Sequence, residues 1–167
     1  LRILSGLLAV TLALGPVAAQ AQPCMNPAEK AAFDVRALQT QLMVAALNCR
    51  DERHDDKFNQ FISRFQRDLT GYSTNLRSWF RRAHGGGSER ELNSYITDLA
   101  NMQSQYSSRQ GSAYCARVAP LFQQALALNS ARELPVLAGQ QSLPQPLNVT
   151  ACDVRAATNA PGAPVRR

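Results

Sequence analysis

The stretch from Phe58 to Trp79 most constrains what this chain can fold into. Phe58, Ile62, Phe65, Leu69, Tyr72, Leu76 and Trp79 recur at alternating steps of four and three. On a helix, side chains spaced in this way lie on one face; on a strand they would scatter over both. An apolar stripe this long has to be covered, and other helices carrying stripes of their own are the natural cover.

Such stripes are present. Ala31, Val35, Leu38, Leu42, Ala45 and Cys49 follow the same rhythm. Leu92, Tyr95, Leu99, Met102 and Tyr106 form a third stripe, and Cys115, Val118, Phe122, Ala125 and Leu128 a fourth. Asn26-Pro27-Ala28-Glu29 has the form of a capping box with Pro in the first turn. A polar turn follows near 50–55, where Asp55 or a neighbouring Asp is expected to cap the next helix. His84-Gly85-Gly86-Gly87 marks a helix end, and Ser88-Glu89-Arg90-Glu91 reads as a second capping box. Gly71 should cost its helix about 1 kcal/mol relative to Ala, which suggests a close approach there. Gly111-Ser112 predicts a tight turn or sharp kink.

The expected fold is therefore all-α: an up-down helical bundle of four helices, or three with one bent near Gly111. The bundle should span 22–132. From Glu133 the periodicity fails among Pro135, Pro144, Pro146, Pro161 and Pro164. An irregular, Pro-rich, extended tail is expected over 133–167, tethered by Cys152 and frayed after about Arg155.

The beginning of the chain reads as a leader. Arg2 precedes an apolar run from Ile3 to Leu14, Gly15-Pro16 breaks it, and Ala19-Gln20-Ala21 fits a cleavage site. Residues 1–21 are expected to be a cleaved signal peptide, the mature chain starting at Gln22. The run falls short of the roughly 20 apolar residues needed to cross a bilayer. Arg outnumbers Lys sixteen to two and Ala is abundant; both have GC-rich codons, which points to a bacterial origin. The expected location is then periplasmic or secreted.

Four cysteines in an exported chain suggest two disulfides. Cys24 and Cys49 flank one helix and would sit about 37 Å apart, whereas a disulfide needs Cα atoms within about 7 Å. Tracing an up-down bundle puts Cys115 level with Cys49 and brings the tail beside Cys24. The expected pairs are Cys49–Cys115 and Cys24–Cys152. No C-x-x-C spacing suggests zinc or thioredoxin-like chemistry, and no C-x-x-C-H suggests covalent haem.

No catalytic motif appears: no G-x-S-x-G, no H-E-x-x-H and no phosphate-binding loop. His54 lies in the acidic run Asp51–Asp56, but without metal-ligand spacing it reads as a solvated loop. His84 reads as a cation at a helix C-terminus. No cofactor and no metal are expected, and the chain leans away from being an enzyme.

The chain carries a formal charge of +6; without the leader's Arg2, 17 basic residues stand against 12 acidic ones, leaving +5. This permits an anionic partner without demanding one. The leading expectation is a protein that binds an envelope protein or an anionic envelope component. Nucleic acid is not expected, and a membrane surface stays open. The candidate binding residues are Arg77, Trp79, Arg81 and Arg82, where guanidinium groups and an aromatic ring fall together. A first alternative is a small-ligand carrier with a site in the bundle core, lined by Tyr95, Met102, Tyr106 and Phe122. A second is an enzyme using dispersed carboxylates.

Overall fold

The computed structural model describes residues 23–49, 53–148 and 150–152. The leader expected at 1–21 and the frayed end of the tail lie outside them. Helix α1 (Pro27–Asn48) starts as its sequence dictates. The Asn26 side chain accepts from the Glu29 N–H, and the Glu29 carboxylate accepts from the Asn26 N–H, each at 2.9 Å. The expected stripe is buried at Val35, Leu38, Leu42, Ala45 and Cys49, and so are Ala32, Phe33, Ala37, Val44 and Ala46. With apolar or small side chains around most of its circumference, α1 is the central rod.

Helix α2 (His54–His84) has 31 residues, which makes it about 46 Å long. Phe61, Phe65, Leu69, Leu76, Trp79 and Phe80 are buried along it. The Asp cap expected at its start does not form. Arg53 takes the N-cap position in a left-handed conformation, φ 52°, without a side-chain cap. Its guanidinium returns to Asp56 at 2.5 Å, and Asp55 and Asp56 in the first turn oppose the positive helix end. Gly71 faces open space, so no neighbour approaches it closely.

Gly85, at φ +52°, ends α2 and opens a 3-10 turn, Gly85–Gly87, that runs into α3 (Ser88–Gln110). The expected Ser88 capping box is absent because Ser88 already lies inside the helix and Gly87 holds the N-cap position. Gly111, at φ +57°, ends α3, and α4 (Ala113–Ala127) starts two residues later. The choice between a turn and a kink resolves to a turn, and to four long helices.

The tail departs from expectation at its start. Ser130 and Glu133 form a capping box on a 3-10 turn, Ala131–Glu133, followed by a short helix α5 (Leu134–Gln140). Pro135 falls in the first turn, where its missing N–H costs nothing. Leu134, Leu137 and Ala138 enter the core from α5. Only from Gln141 does the chain run irregularly, as a strap over α1. Tyr95 Oη donates to Gln145 Oε1 at 2.9 Å, and Gln145 Nε2 donates to the Phe33 carbonyl at 3.3 Å.

The strap ends beside the chain start. Met25 N–H donates to the Thr150 carbonyl at 2.9 Å and Cys152 N–H to the Met25 carbonyl at 2.8 Å, one isolated parallel bridge. No β-strand forms among the described residues. Both disulfides join the expected partners, with Cα–Cα distances of 4.9 Å for Cys24–Cys152 and 5.5 Å for Cys49–Cys115.

The core has two parts. Around Cys49 it is mainly aliphatic, built from Leu38, Leu42, Val118, Leu121 and Leu134 with Phe61, Phe65 and Phe122. Beneath Cys24 it is aromatic: Phe33, Trp79, Phe80 and Tyr95, closed by Met25, Leu76, Leu92 and Leu99.

Candidate functional site

The last two turns of α2 bring Arg77, Arg81 and Arg82 to one end of the molecule, yet they do not form one free basic patch. Arg82 pairs with Glu29, whose side chain is almost wholly buried, and also donates to the Cys24 carbonyl at 3.3 Å. Arg77 pairs with Glu89 at 2.5 Å, both side chains about half exposed. Arg81 donates to the Ser78 hydroxyl at 3.1 Å and has no carboxylate partner among the described residues. Trp79 is 0% exposed. Its indole N–H donates to the Pro23 carbonyl at 3.0 Å, and its ring meets Phe33 edge-on at 5.2 Å. Trp79 therefore anchors the chain start to the core and presents no ring to a partner. His84 stacks on Phe80 at 5.8 Å.

The four side chains expected to line a cavity do not share one. Tyr95 lies in the aromatic core, 5.1 Å from Phe33 and 5.5 Å from Phe80. Phe122 lies in the other core, its ring 4.7 Å from that of His54. The cause is a change of phase in α3. Its buried row runs Leu92, Tyr95, Leu99, Gln103 and Ser107, so Met102 and Tyr106 turn partly outward, and of the four expected residues Tyr106 borders a groove. His54 is fully buried against Cys49 and Phe122 rather than solvated, with Nδ1 3.3 Å from the Cys49 carbonyl.

The polar residues on that inner row build the site that hydropathy does not reveal. A groove of about 170 Å³ lies between α1, α3, α4 and the strap. Gln41 of α1, 4% exposed, is part of its lining. Gln41 Nε2 donates to Tyr114 Oη at 2.7 Å. Its amide oxygen is buried and has no hydrogen-bond partner among the described residues. Burial pushes the Tyr114 phenol up to about 12, against the lowering effect of its hydrogen bond with Ser107, so the hydroxyl is neutral at ordinary pH.

Val118, Leu121 and Leu143 supply apolar wall, and the exposed guanidinium of Arg117 also borders the groove. No Asp or Glu lines it. Gln103 holds the cover in place: its Nε2 donates to the Ala37 carbonyl at 3.2 Å and to the Pro144 carbonyl at 3.3 Å. Nearby, Asn48 donates to Ser107 at 3.0 Å. The visible signal for this seam is that steps of four from Leu99 land on Gln103 and Ser107.

A second opening, of about 260 Å³, lies on the other flank of the strap. Its charged residues, Lys30 and Asp34, pair with each other at 2.5 Å, which leaves little charge for a ligand.

Among the described residues no three His, Cys, Asp or Glu side chains gather as a metal site would require, and no helix is long and apolar enough to cross a membrane. Comparisons with protein-family models, with curated proteins and with solved structures find no match, so the functional reading rests on the geometry of the groove and of the basic end.

Proposed function

We propose that this chain is an exported binding protein, without catalysis, that holds a small ligand in the groove beneath the strap. The observation that carries the reading is the groove itself, about 170 Å³ between α1, α3, α4 and the strap, where Gln41, Tyr114 and Arg117 stand beside Val118, Leu121 and Leu143. The groove is concave and lined about equally by apolar and polar surface, so placed polar groups stand beside apolar wall as a small-molecule site requires. The leader-like pattern in the sequence and the two disulfides support export, since disulfides persist in oxidising compartments.

Methyl-labelled NMR on the oxidised protein tests this against a library of small fragments. Shifts centred on the Val118 and Leu121 methyls, lost in Gln41→Leu, are the expected result. Fragments that shift only methyls elsewhere, or none at all, would show that the groove is not a binding site.

A second reading keeps the end of α2 as a contact for an anionic envelope component. It is favoured by the exposure of Arg81 and by the half-exposed Arg77–Glu89 pair, which a polyanion can displace. Sedimentation with anionic vesicles tests it. Binding that survives Arg77→Gln combined with Arg81→Gln would place the contact elsewhere.

A further inference from the structure

We infer that residues 142–148 are a cover latched by Cys24–Cys152, and that exchange of this disulfide with a dithiol reductant lifts the cover from an apolar face of α1. The two sides of the latch are held unequally. On the chain-start side, Trp79 donates to the Pro23 carbonyl at 3.0 Å, Arg82 donates to the Cys24 carbonyl at 3.3 Å, and Met25 is buried. On the strap side, Asn148, Thr150 and Ala151 are exposed. Among the described residues, two backbone bonds to Met25 are what holds that side besides the disulfide. When the S–S bond opens, Cys24 stays and Cys152 leaves.

The other end of the cover supplies a pivot. Ser142, where α5 has given way to the strap, has φ 47°. A residue with a Cβ enters that left-handed region at a cost, so its backbone relaxes once the strap is let go. Between pivot and latch the hold is polar and sparse. Gln103 donates to the Pro144 carbonyl at 3.3 Å, Tyr95 to Gln145 at 2.9 Å, and Gln145 to the Phe33 carbonyl at 3.3 Å. Leu143 and Leu147 pack on the aromatic core but are only partly buried. Met25, Phe33 and Ala37 border the opening of about 260 Å³ beside the cover. Lifting the cover widens that opening into an apolar face, while Val118 and Leu121 stay with α4.

The exchange takes two steps. One thiolate of the reductant attacks the exposed Cys24 sulfur. The bond to Cys152 breaks, a mixed disulfide forms on Cys24, and Cys152 leaves as a thiolate that takes up a proton. The second thiolate of the reductant then attacks its own sulfur in the mixed disulfide, and Cys24 leaves and is protonated. The protein gains two electrons and two protons, and the dithiol becomes a cyclic disulfide. Cys49, 3% exposed, is shielded from the same attack.

The test treats the oxidised protein with limiting dithiothreitol, alkylates it and locates the labels by mass spectrometry. The expected product carries labels on Cys24 and Cys152 and keeps Cys49–Cys115. Thermolysin, which cuts before apolar residues, should cut this form before Leu143 or Leu147 about ten times faster than the oxidised protein. The apolar-surface dye 8-anilinonaphthalene-1-sulfonate should brighten with it. The Leu38, Leu42 and Val118 methyls should keep their NMR shifts. Cys24→Ser combined with Cys152→Ser should reproduce the fast cut without reductant or label. Adding Ser142→Gly to that pair should slow the cut about threefold or more, since glycine holds the closed φ without cost.

A cut no faster than in the oxidised protein would overturn the latch. Cuts spreading into α1, or shifted core methyls, would mean that the whole end unfolds instead of a cover lifting. An unchanged rate in Ser142→Gly would remove the pivot. None of these readouts needs an occupant in the groove, so the latch and the proposed function fail separately.

Discussion

At one end of the bundle Cys49 and Cys115 are joined over mainly aliphatic packing. At the other, Cys24 and Cys152 are joined over Phe33, Trp79, Phe80 and Tyr95. Cys49 is 3% exposed and sits in the core, whereas Cys24 is exposed. The buried disulfide links two elements, α1 and α4, that already pack through Leu38, Leu42, Val118 and Phe122. The exposed one links two irregular segments whose backbones, among the described residues, share the two hydrogen bonds at Met25. A cross-link inside a packed core thus reinforces what the side chains already hold, while a cross-link on the surface holds a strap that has little else to fix its end. The groove lies under the first residues of the strap, 141–144, and beside Tyr114, Val118 and Leu121 of the Cys49–Cys115 core, so its walls belong to the firmer end.

The largest test of this contrast is to hollow each core. Trp79→Ala and Phe122→Ala should each cost about 3–5 kcal/mol in denaturant unfolding. They should differ in where the loss spreads. Trp79→Ala also removes the bond to the Pro23 carbonyl, so hydrogen exchange at Met25 and Cys152 should rise sharply. Phe122→Ala should leave those amides protected. Equal exchange in the two variants would mean that the ends are not independent.

Next come the disulfides. Replacing either pair with Ala should cost about 2–4 kcal/mol. The sequence separations are 128 for Cys24–Cys152 and 66 for Cys49–Cys115, so loop entropy alone ranks the first higher by about 0.6 kcal/mol. The structural difference should exceed that small ranking in kind: loss of Cys24–Cys152 should expose amides from 141 to 152 and spare α1. Under mild thiol reduction, alkylation followed by mass spectrometry should find Cys24 and Cys152 labelled before Cys49 and Cys115. Simultaneous labelling would break the comparison.

Alkaline pH should act at both ends. Burial raises the Tyr95 phenol at the aromatic end and takes Tyr114 by the groove to about 12. A phenol held protonated in the fold but free to ionise in the unfolded chain favours unfolding once the pH passes the unfolded value near 10. Stability should therefore be complete below about pH 10 and fall as pH climbs through about 12. Tyr95→Phe and Tyr114→Phe should each flatten that fall when unfolding midpoints are measured from pH 9 to 12. An unchanged slope would remove the tyrosines from the explanation.

The smallest effects belong to the arginines. Arg77→Gln breaks an exposed pair and should change stability by less than about 1 kcal/mol. Arg82→Gln leaves the buried Glu29 carboxylate without its cation and should cost more, about 1–3 kcal/mol. Thermal unfolding of the two variants side by side checks this ordering.

Much of the architecture was legible because it rests on apolar spacing and on one rigid length. The stripes of α1 and α2 emerge buried; the length of α1 excludes Cys24–Cys49, and the up-down path of the helices selects the two pairs that form. The rest was hidden where polar residues take core positions. Gln41, Gln103 and Ser107 break the hydropathy pattern although they face inward; Gln41 lines the groove, while Gln103 and Ser107 bond Pro144 and Tyr114 of its lining. Pro135 reads as a breaker in sequence, yet in the first turn of α5 it is compatible with helix. Trp79 reads both as the end of α2's apolar stripe and as part of the basic cluster; it is buried, since adjacent side chains on a helix diverge by a hundred degrees per residue. The groove itself was not visible at all, because it depends on α1, α3, α4 and the strap meeting in space.

The position of α1 between Cys24 and Cys49 also bears on how the molecule is assembled. A chain made from its N-terminus presents these two thiols first, long before Cys152 exists, and an oxidant meeting a flexible segment would join them. Once α1 has formed, its 22 residues put a rod about 33 Å long between them. The helix thus acts as a spacer against the premature link, keeping Cys24 in waiting until the last residues of the strap arrive, so the order of bond closure is written into a length.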